Sequence, residues 1–221
     1  MFTKYGRDVI LRVLVISILL IVLGYLSHNK ILEIILLVVV VLFNIFMFYF
    51  FRDPERNPPH LDDGEIVSPA DGKVVLIKEI EFVGNEFFNA GEKLIQLSIF
   101  LSPLNVHINR FPMSGTLKYV KYIPGKYLVA FDDKSSLNNE RSEFGIESGG
   151  KKLLFKQIAG FIARRIVYDC KENSQVKAGD RFGMIKFGSR MDLLFKPGAK
   201  IYVNLGDKVK AGETKLLKLI S

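Results

Sequence analysis

Two long apolar runs near the start of this 221-residue chain limit its fold more than any other feature. From Val13 to Tyr25 the side chains are almost wholly aliphatic, and from Ile31 to Phe51 only Glu33 and Asn44 interrupt a second apolar stretch. Each approaches the roughly 20 residues that a helix needs to cross a bilayer. The first reaches that length only with Val9, Ile10 and Leu11, which brings Arg12 inside the span, where its long stem can carry the guanidinium toward the headgroups. Ser27-His28-Asn29-Lys30 is just long enough to turn the chain back. The pattern predicts a transmembrane helical hairpin within residues 1–52, its helices spanning 9–27 and 31–51. Lys4, Arg7 and Arg12 flank its start and Arg52 and Arg56 its end, against Lys30 alone in the turn, which puts both termini on the cytoplasmic side of the cell membrane. The competing reading is a signal peptide followed by one anchor, but no small-residue cleavage site follows the first run.

The remaining chain is basic. Of the net charge of +8, residues 1–51 supply +2 from four Lys/Arg and two Asp/Glu, leaving +6 for the rest. A basic domain tethered to a membrane is drawn to anionic lipid, so lipid rather than nucleic acid is the expected partner, although the same charge also suits a merely solvated surface. The single cysteine, Cys170, excludes an intramolecular disulfide and a Cys-rich metal cluster. His28, His60 and His107 are scattered without an HExxH spacing, and no metal is expected.

Asp53 to Gly64, with three prolines and several charges, reads as a linker (53–64), and the globular domain as 65–221. There, short runs rich in Val, Ile, Phe and Tyr are punctuated by glycine: Ile66-Val67, Lys73 to Glu79, Lys93 to Leu101, Gly115 to Tyr122, Lys152 to Ile158, Ile162 to Tyr168, Arg181 to Phe187, Met191 to Phe195, Lys200 to Val203 and Thr214 to Leu219. The domain is therefore mainly β, within an α+β class, with a short helix expected around Ala159 to Arg165. Val176-Lys177-Ala178-Gly179-Asp180 and Val209-Lys210-Ala211-Gly212-Glu213 repeat one turn, each ahead of a strand. Such turns resemble those of lipoyl- and biotinyl-like sandwiched-hairpin folds, and Ser68 to Val74 looks like a further element of that kind. Internal quasi-symmetry is the expectation.

Three polar constellations stand out on this scaffold. Asp71 lies in Ser68-Pro69-Ala70-Asp71-Gly72, where proline and glycine fix a turn around a carboxylate, although Asp-Gly is also an ordinary hairpin turn. His107 follows an apolar strand between Pro103 and Pro112, a setting suited to proton transfer and equally to a structural histidine. Gly188-Ser189 is the third. A serine hydroxyl can attack the preceding carbonyl and convert the amide to an ester, and glycine before it permits the unusual backbone this needs, yet Gly-Ser is also common in turns.

Together and in this order, Ser-Pro-Ala-Asp-Gly, the Pro-flanked His107 segment and Phe187-Gly188-Ser189-Arg190 resemble the phosphatidylserine decarboxylases in their short bacterial and archaeal form. The resemblance runs through Glu65 to Ser221, including Asn138-Asn139-Glu140-Arg141 and Gln157-Ile158-Ala159-Gly160. It implies self-cleavage between Gly188 and Ser189 into a large chain (1–188) and a small chain (189–221) that begins with a pyruvoyl group made from Ser189. The headgroup amine of phosphatidylserine would form a Schiff base with that group, lose carbon dioxide and leave as phosphatidylethanolamine. The resemblance casts His107 in decarboxylation or protonation and Asp71 in self-processing. Arg110 stands where longer members carry a second histidine of a relay with aspartate and serine. An arginine is a poor base, which leaves Asp71, His107 or backbone strain to activate Ser189, and Arg110, like Asn109, is a candidate for binding the substrate.

Archaetidylserine, with the same headgroup on isoprenoid ethers, is the alternative substrate, and a non-enzymatic membrane-anchored adaptor with a lipoyl-like domain the alternative class. Gly188-Ser189-Arg190 is not the Gly-x-Ser-x-Gly elbow of a serine hydrolase. A homo-oligomer is left open.

Overall fold

The computed structural model describes residues 2–125, 139–160, 165–186 and 189–220. The chain divides into two compact units, Met1–Glu55 and Arg56–Ser221.

The first unit is two antiparallel helices, α1 (Arg7–Leu26) and α2 (Lys30–Phe50). Both are long and apolar enough to cross a membrane by length and composition. Asn29 caps α2 by accepting from the amides of Ile31 and Leu32, and His28 supplies a left-handed residue in the turn. Close packing uses small residues. A Cβ on Gly24 would stand 3.2 Å from Leu36 Cδ1, and Asn44 Nδ2 donates to Ser17 Oγ at 2.8 Å, satisfying within the pair an amide that the apolar run otherwise isolates. Most of the other large apolar side chains of both helices point outward.

The second unit is mainly β. Its strands are β1 (Glu65–Val67), β2 (Gly72–Glu81), β3 (Lys93–Leu101), β4 (Ile108–Arg110), β5 (Gly115–Ile123), β6 (Arg141–Ser148), β7 (Lys151–Ala159), β8 (Arg165–Tyr168), β9 (Gln175–Val176), β10 (Arg181–Lys186), β11 (Ser189–Phe195), β12 (Lys200–Ile201), β13 (Lys208–Val209) and β14 (Lys215–Lys218). Among the described residues they form an eight-stranded sheet, ordered β13-β2-β3-β11-β7-β6-β5-β9, and two three-stranded sheets, β1-β14-β12 and β4-β10-β8. The expected helix around Ala159 to Arg165 meets strand at both ends, since Ala159 closes β7 and Arg165 opens β8; residues 161–164 lie outside the described residues.

The two Val-Lys-Ala-Gly turns are related by a local two-fold. β13 pairs with β2 through Val209 and Gly72, and β9 with β5 through Val176 and Gly115. The turn Pro69-Ala70-Asp71-Gly72 thus corresponds to Pro112-Met113-Ser114-Gly115. Ala211 N donates to Asp71 Oδ1 at 2.8 Å, and Ala178 N donates to Ser114 Oγ at 3.0 Å. Gly212 N donates to Ser68 O and Gly179 N to Phe111 O, while the amides of Arg110 and Val67 donate to Pro69 O and Pro112 O. Gly179 and Gly212, at φ of 86° and 73°, meet where the halves join, and a Cβ on Gly212 would lie 3.4 Å from Gly179 Cα. Because these turns follow the two edge strands of the large sheet, their contact shows that the sheet curls until its edges approach.

Inside the curl lies the main core, in which the rings of Phe111, Phe144, Phe155 and Phe182 pack together. The opposite face of the sheet is buried too. Phe82, Phe87 and Phe88 pack there on Leu94, Tyr119, Leu154 and Leu194. On that face Lys156 sits between Asp192 and Glu143 in register and donates to Glu143 Oε1 at 2.9 Å, while Arg141 Nε donates to the same oxygen at 3.0 Å. Burial pushes the Glu143 carboxyl up, but Lys156, Arg141 and Asn85 outweigh it and hold the group below its ordinary value.

Candidate active site

One end of the large sheet gathers the residues singled out by sequence. Gly72 begins β2, Leu101 ends β3, Ser189 begins β11 and Ala159 ends β7, and in register Ser189 lies between Leu101 and Ala159. Two strands therefore hold Ser189 at the centre of the sheet's rim. Its side chain shares the face of Met191, Leu193 and Phe195, so it points into the curl. Ser189 is fully buried, and its Oγ has no hydrogen-bond partner among the described residues. Gly188, the other half of the expected scission bond, and Phe187 lie outside the described residues. β10 ends at Lys186 in a small sheet and β11 starts at Ser189 in the large one, so the chain changes sheets between Lys186 and Ser189.

Arg190 faces the opposite way. It grips Asp192 with two bonds, Nε to Oδ1 at 2.6 Å and Nη2 to Oδ2 at 3.1 Å, and Gln96 Nε2 donates to Asp192 Oδ2 at 3.0 Å. This buried fork fixes the backbone immediately after Ser189.

His107 is fully buried just before β4. Its loop is closed by Asn105, whose amide donates to Ser102 O and whose side-chain oxygen accepts from Ser102 N at 2.8 Å. Nδ1 of His107 donates to Asn105 O at 3.0 Å, which in a neutral ring would place the lone pair on Nε2. Asn109, two residues on, is fully buried and accepts from Gln157 Nε2 at 2.8 Å, which links the small sheet to β7.

Asp71 has both oxygens engaged. Oδ1 accepts from Ala211 N, and Oδ2 accepts from Arg56 Nη2 at 2.8 Å with both side chains about nine-tenths buried. Arg56 also reaches Glu213 Oε2 at 3.4 Å. Among the described residues, no hydrogen bond joins the Asp71 carboxylate and Ser189 Oγ, or either of them to His107. Arg110 turns toward the paired turns, donating from Nη1 to Gly179 O at 2.8 Å. Asp71, Arg110, Gly179 and Gly212 thus belong to one junction, while Ser189, Asn109 and Gln157 line the interior beside it. No group of three or more His, Cys, Asp or Glu side chains suited to a metal ion occurs among the described residues.

Comparison with known proteins decides the family. The sequence model described as phosphatidylserine decarboxylase matches residues 43–216. The chain belongs to the phosphatidylserine decarboxylase family. It is 42% identical to a phosphatidylserine decarboxylase proenzyme of Chlorobium luteolum over 219 residues, 99% of this chain and 100% of the relative. Proenzymes of the same name from Chlorobium phaeobacteroides and Salinibacter ruber are 51% and 52% identical over 172 and 174 residues, 77% of this chain in each case and 77% and 74% of the relatives. A phosphatidylserine decarboxylase is a carboxy-lyase, and membership leaves the adaptor reading without support. Arg56 and Gln157 are the site's neighbours to which the sequence assigned no role: Arg56 lies fifteen residues from its carboxylate, and Gln157 is one of several polar residues of β7, next to Lys156.

Proposed function

We propose that this chain is a proenzyme that cuts itself between Gly188 and Ser189 and then, as two chains (1–188 and 189–221), converts phosphatidylserine to phosphatidylethanolamine at a membrane. The observation that carries this is Ser189 Oγ, buried and without a hydrogen-bond partner among the described residues, at the point where the chain passes from one sheet to another. A buried hydroxyl left unsatisfied is costly and calls for an explanation, and among the described residues nothing competes for its lone pairs.

A pyruvoyl group derived from Ser189 fits the place. Leu101 and Ala159 flank it, the aromatic core lies beneath, and the environment excludes water. Such a group supplies a ketone that condenses with the headgroup amine and accepts the electron pair left when carbon dioxide departs. The residues of the chain do the rest. His107, with its proton fixed at Nδ1, offers Nε2 as the atom that takes up or returns a proton. Asp71 holds the junction beside the rim and acts in self-processing through the placement of that junction. Asn109 binds the substrate headgroup, and Arg110 is the second substrate-binding candidate.

The apolar helices α1 and α2 form the transmembrane hairpin, residues 53–64 connect it to the catalytic domain, and that domain faces the cytoplasm and its anionic lipid. The paired Val-Lys-Ala-Gly turns support a lipoyl-like sandwiched-hairpin architecture. Intact-mass measurement of the purified protein tests the proposal. The expected result is two species divided after Gly188, the smaller blocked at its N-terminus; a single full-length species that Ser189→Ala leaves unchanged overturns it.

A further inference from the structure

Four buried polar side-chain atoms lack partners among the described residues: Ser189 Oγ, Gln157 Oε1 and Ser142 Oγ on the successive strands β11, β7 and β6 of the large sheet, and Asn109 Nδ2 on β4 of a small one. All four residues are fully buried. They share one side of the molecule. Ser142 lies opposite Gln157, Gln157 lies opposite Met191, and Ser189 is the diagonal neighbour of Gln157 on the next strand, within reach of a long side chain. Gln157 Nε2 bonds Asn109 Oδ1, and exchanging oxygen and nitrogen in both amides keeps that bond while still leaving one donor and one acceptor directed elsewhere. Glycine at position 183 makes the arrangement feasible, because a Cβ there would stand 3.1 Å from Gln157 Nε2.

Resting on the function proposed above, we propose that Gln157 and Ser142 complete, with Asn109, a receptor for the α-amino-carboxylate end of the headgroup. Asn109 and Ser142 donate to the carboxylate, and Gln157 fixes Asn109 while its other amide atom accepts from the amine. Neutral donors suit this task. A carboxylate held by an arginine would lose a strong interaction as carbon dioxide leaves, whereas amide and hydroxyl donors orient it with less stabilisation of the ground state. The receptor therefore distinguishes a headgroup with a carboxylate from one without.

Gln157→Leu and Ser142→Ala in the full chain test this through three readouts: self-cleavage by mass, KM for phosphatidylserine, and the inhibition constant of glycerophosphoethanolamine, which lacks the carboxylate. Ser142→Ala removes a hydroxyl with no partner to lose among the described residues, so it stays informative if Gln157→Leu fails to fold. Expected in both variants are normal self-cleavage and a KM raised about tenfold, as for one hydrogen bond to a charged group; the inhibition constant changes less than twofold in Ser142→Ala and rises in Gln157→Leu, which loses the amine contact. Equal changes for both ligands in Ser142→Ala, or no change for either ligand in both variants, overturn the receptor. An unsubstituted protein that cuts itself but does not convert phosphatidylserine refutes the proposed function instead.

Discussion

Asp71→Ser separates what Asp71 does for the fold from what it does for self-cleavage, because serine is what stands at the equivalent place in the other half of the local two-fold. Ser114 Oγ accepts from Ala178 N as Asp71 Oδ1 accepts from Ala211 N. The substitution therefore keeps the turn bond and removes only the bond to Arg56. Breaking a buried pair from one side costs about 3–5 kcal/mol when the other charge is stranded. Arg56 is not stranded, since Glu213 Oε2 lies 3.4 Å from its Nη1, which sets the expectation at about 2 kcal/mol, the value of one charge-assisted hydrogen bond. For a unit spanning Arg56–Ser221, that lowers the melting temperature by about 4–8 °C. Asp71→Ala also strands the Ala211 amide and falls by about 1–3 kcal/mol more. Thermal melts of both variants, with Arg56→Met and the Arg56→Met/Asp71→Ser double variant, measure these terms, and mass analysis of the same samples reads the extent of cleavage. Asp71→Ser should fold and fail to cut. If Asp71→Ser and Asp71→Ala are equally destabilised, the two turns are not equivalent; if Asp71→Ser folds and cuts normally, Asp71 has no part in processing beyond its turn bond.

Two further perturbations probe the scaffold. A Cβ on Gly183 would lie 2.4 Å from Val167 O on the paired strand β8, so Gly183→Ala must part β10 from β8 and is expected to cost about 1–3 kcal/mol in chemical denaturation; a change within about 0.5 kcal/mol would show that the strands give way freely. Glu143 is held below its ordinary 4.5, so the stability it contributes is fully present above that value and is lost as pH falls through the depressed one. The melting temperature of the unsubstituted protein should therefore fall more steeply below about pH 4 than that of Glu143→Gln, and parallel curves would remove Glu143 from the acid limb.

Much of the scaffold follows from local pattern. β3 occupies the whole predicted stretch Lys93–Leu101, because an unbroken β-rich run between turns has little other choice, and α1 and α2 fall within two residues of the expected helix ends. β6 went unseen. Arg141 to Ser148 carries two glutamates, an arginine and Gly145, all poor strand signals, and it is a strand because Lys156 neutralises Glu143 across the ladder and the Phe87 ring occupies the space a Gly145 side chain would fill. Those partners come from other elements. The repeat of Val-Lys-Ala-Gly was plain, but its counterpart, Pro69 to Gly72 against Pro112 to Gly115, shares only its end residues, and the match of Asp71 to Ser114 emerges from the amides they accept. Asp71, His107 and Ser189 stand out in the sequence as candidates; that Asp71 is held by Arg56, and that Gln157 bridges to Asn109, depends on long-range contacts.

Under the proposed self-cleavage, the position of β11 governs what becomes of the molecule once the bond before Ser189 is cut. The freed piece keeps its registers with β3 and β7, from Ser189 opposite Leu101 to Phe195 opposite Ile95, and it still carries β12, β13 and β14, of which β13 pairs with β2 and β14 with β1. It stays threaded through the middle of the architecture with no covalent tie. Assembly of the cut molecule from its denatured parts is therefore a second-order encounter, dependent on concentration, whereas the uncut precursor folds in one chain. A molecule cut as proposed would inherit a shape that it is poorly equipped to rebuild, and its lifetime would be set by how slowly it comes apart.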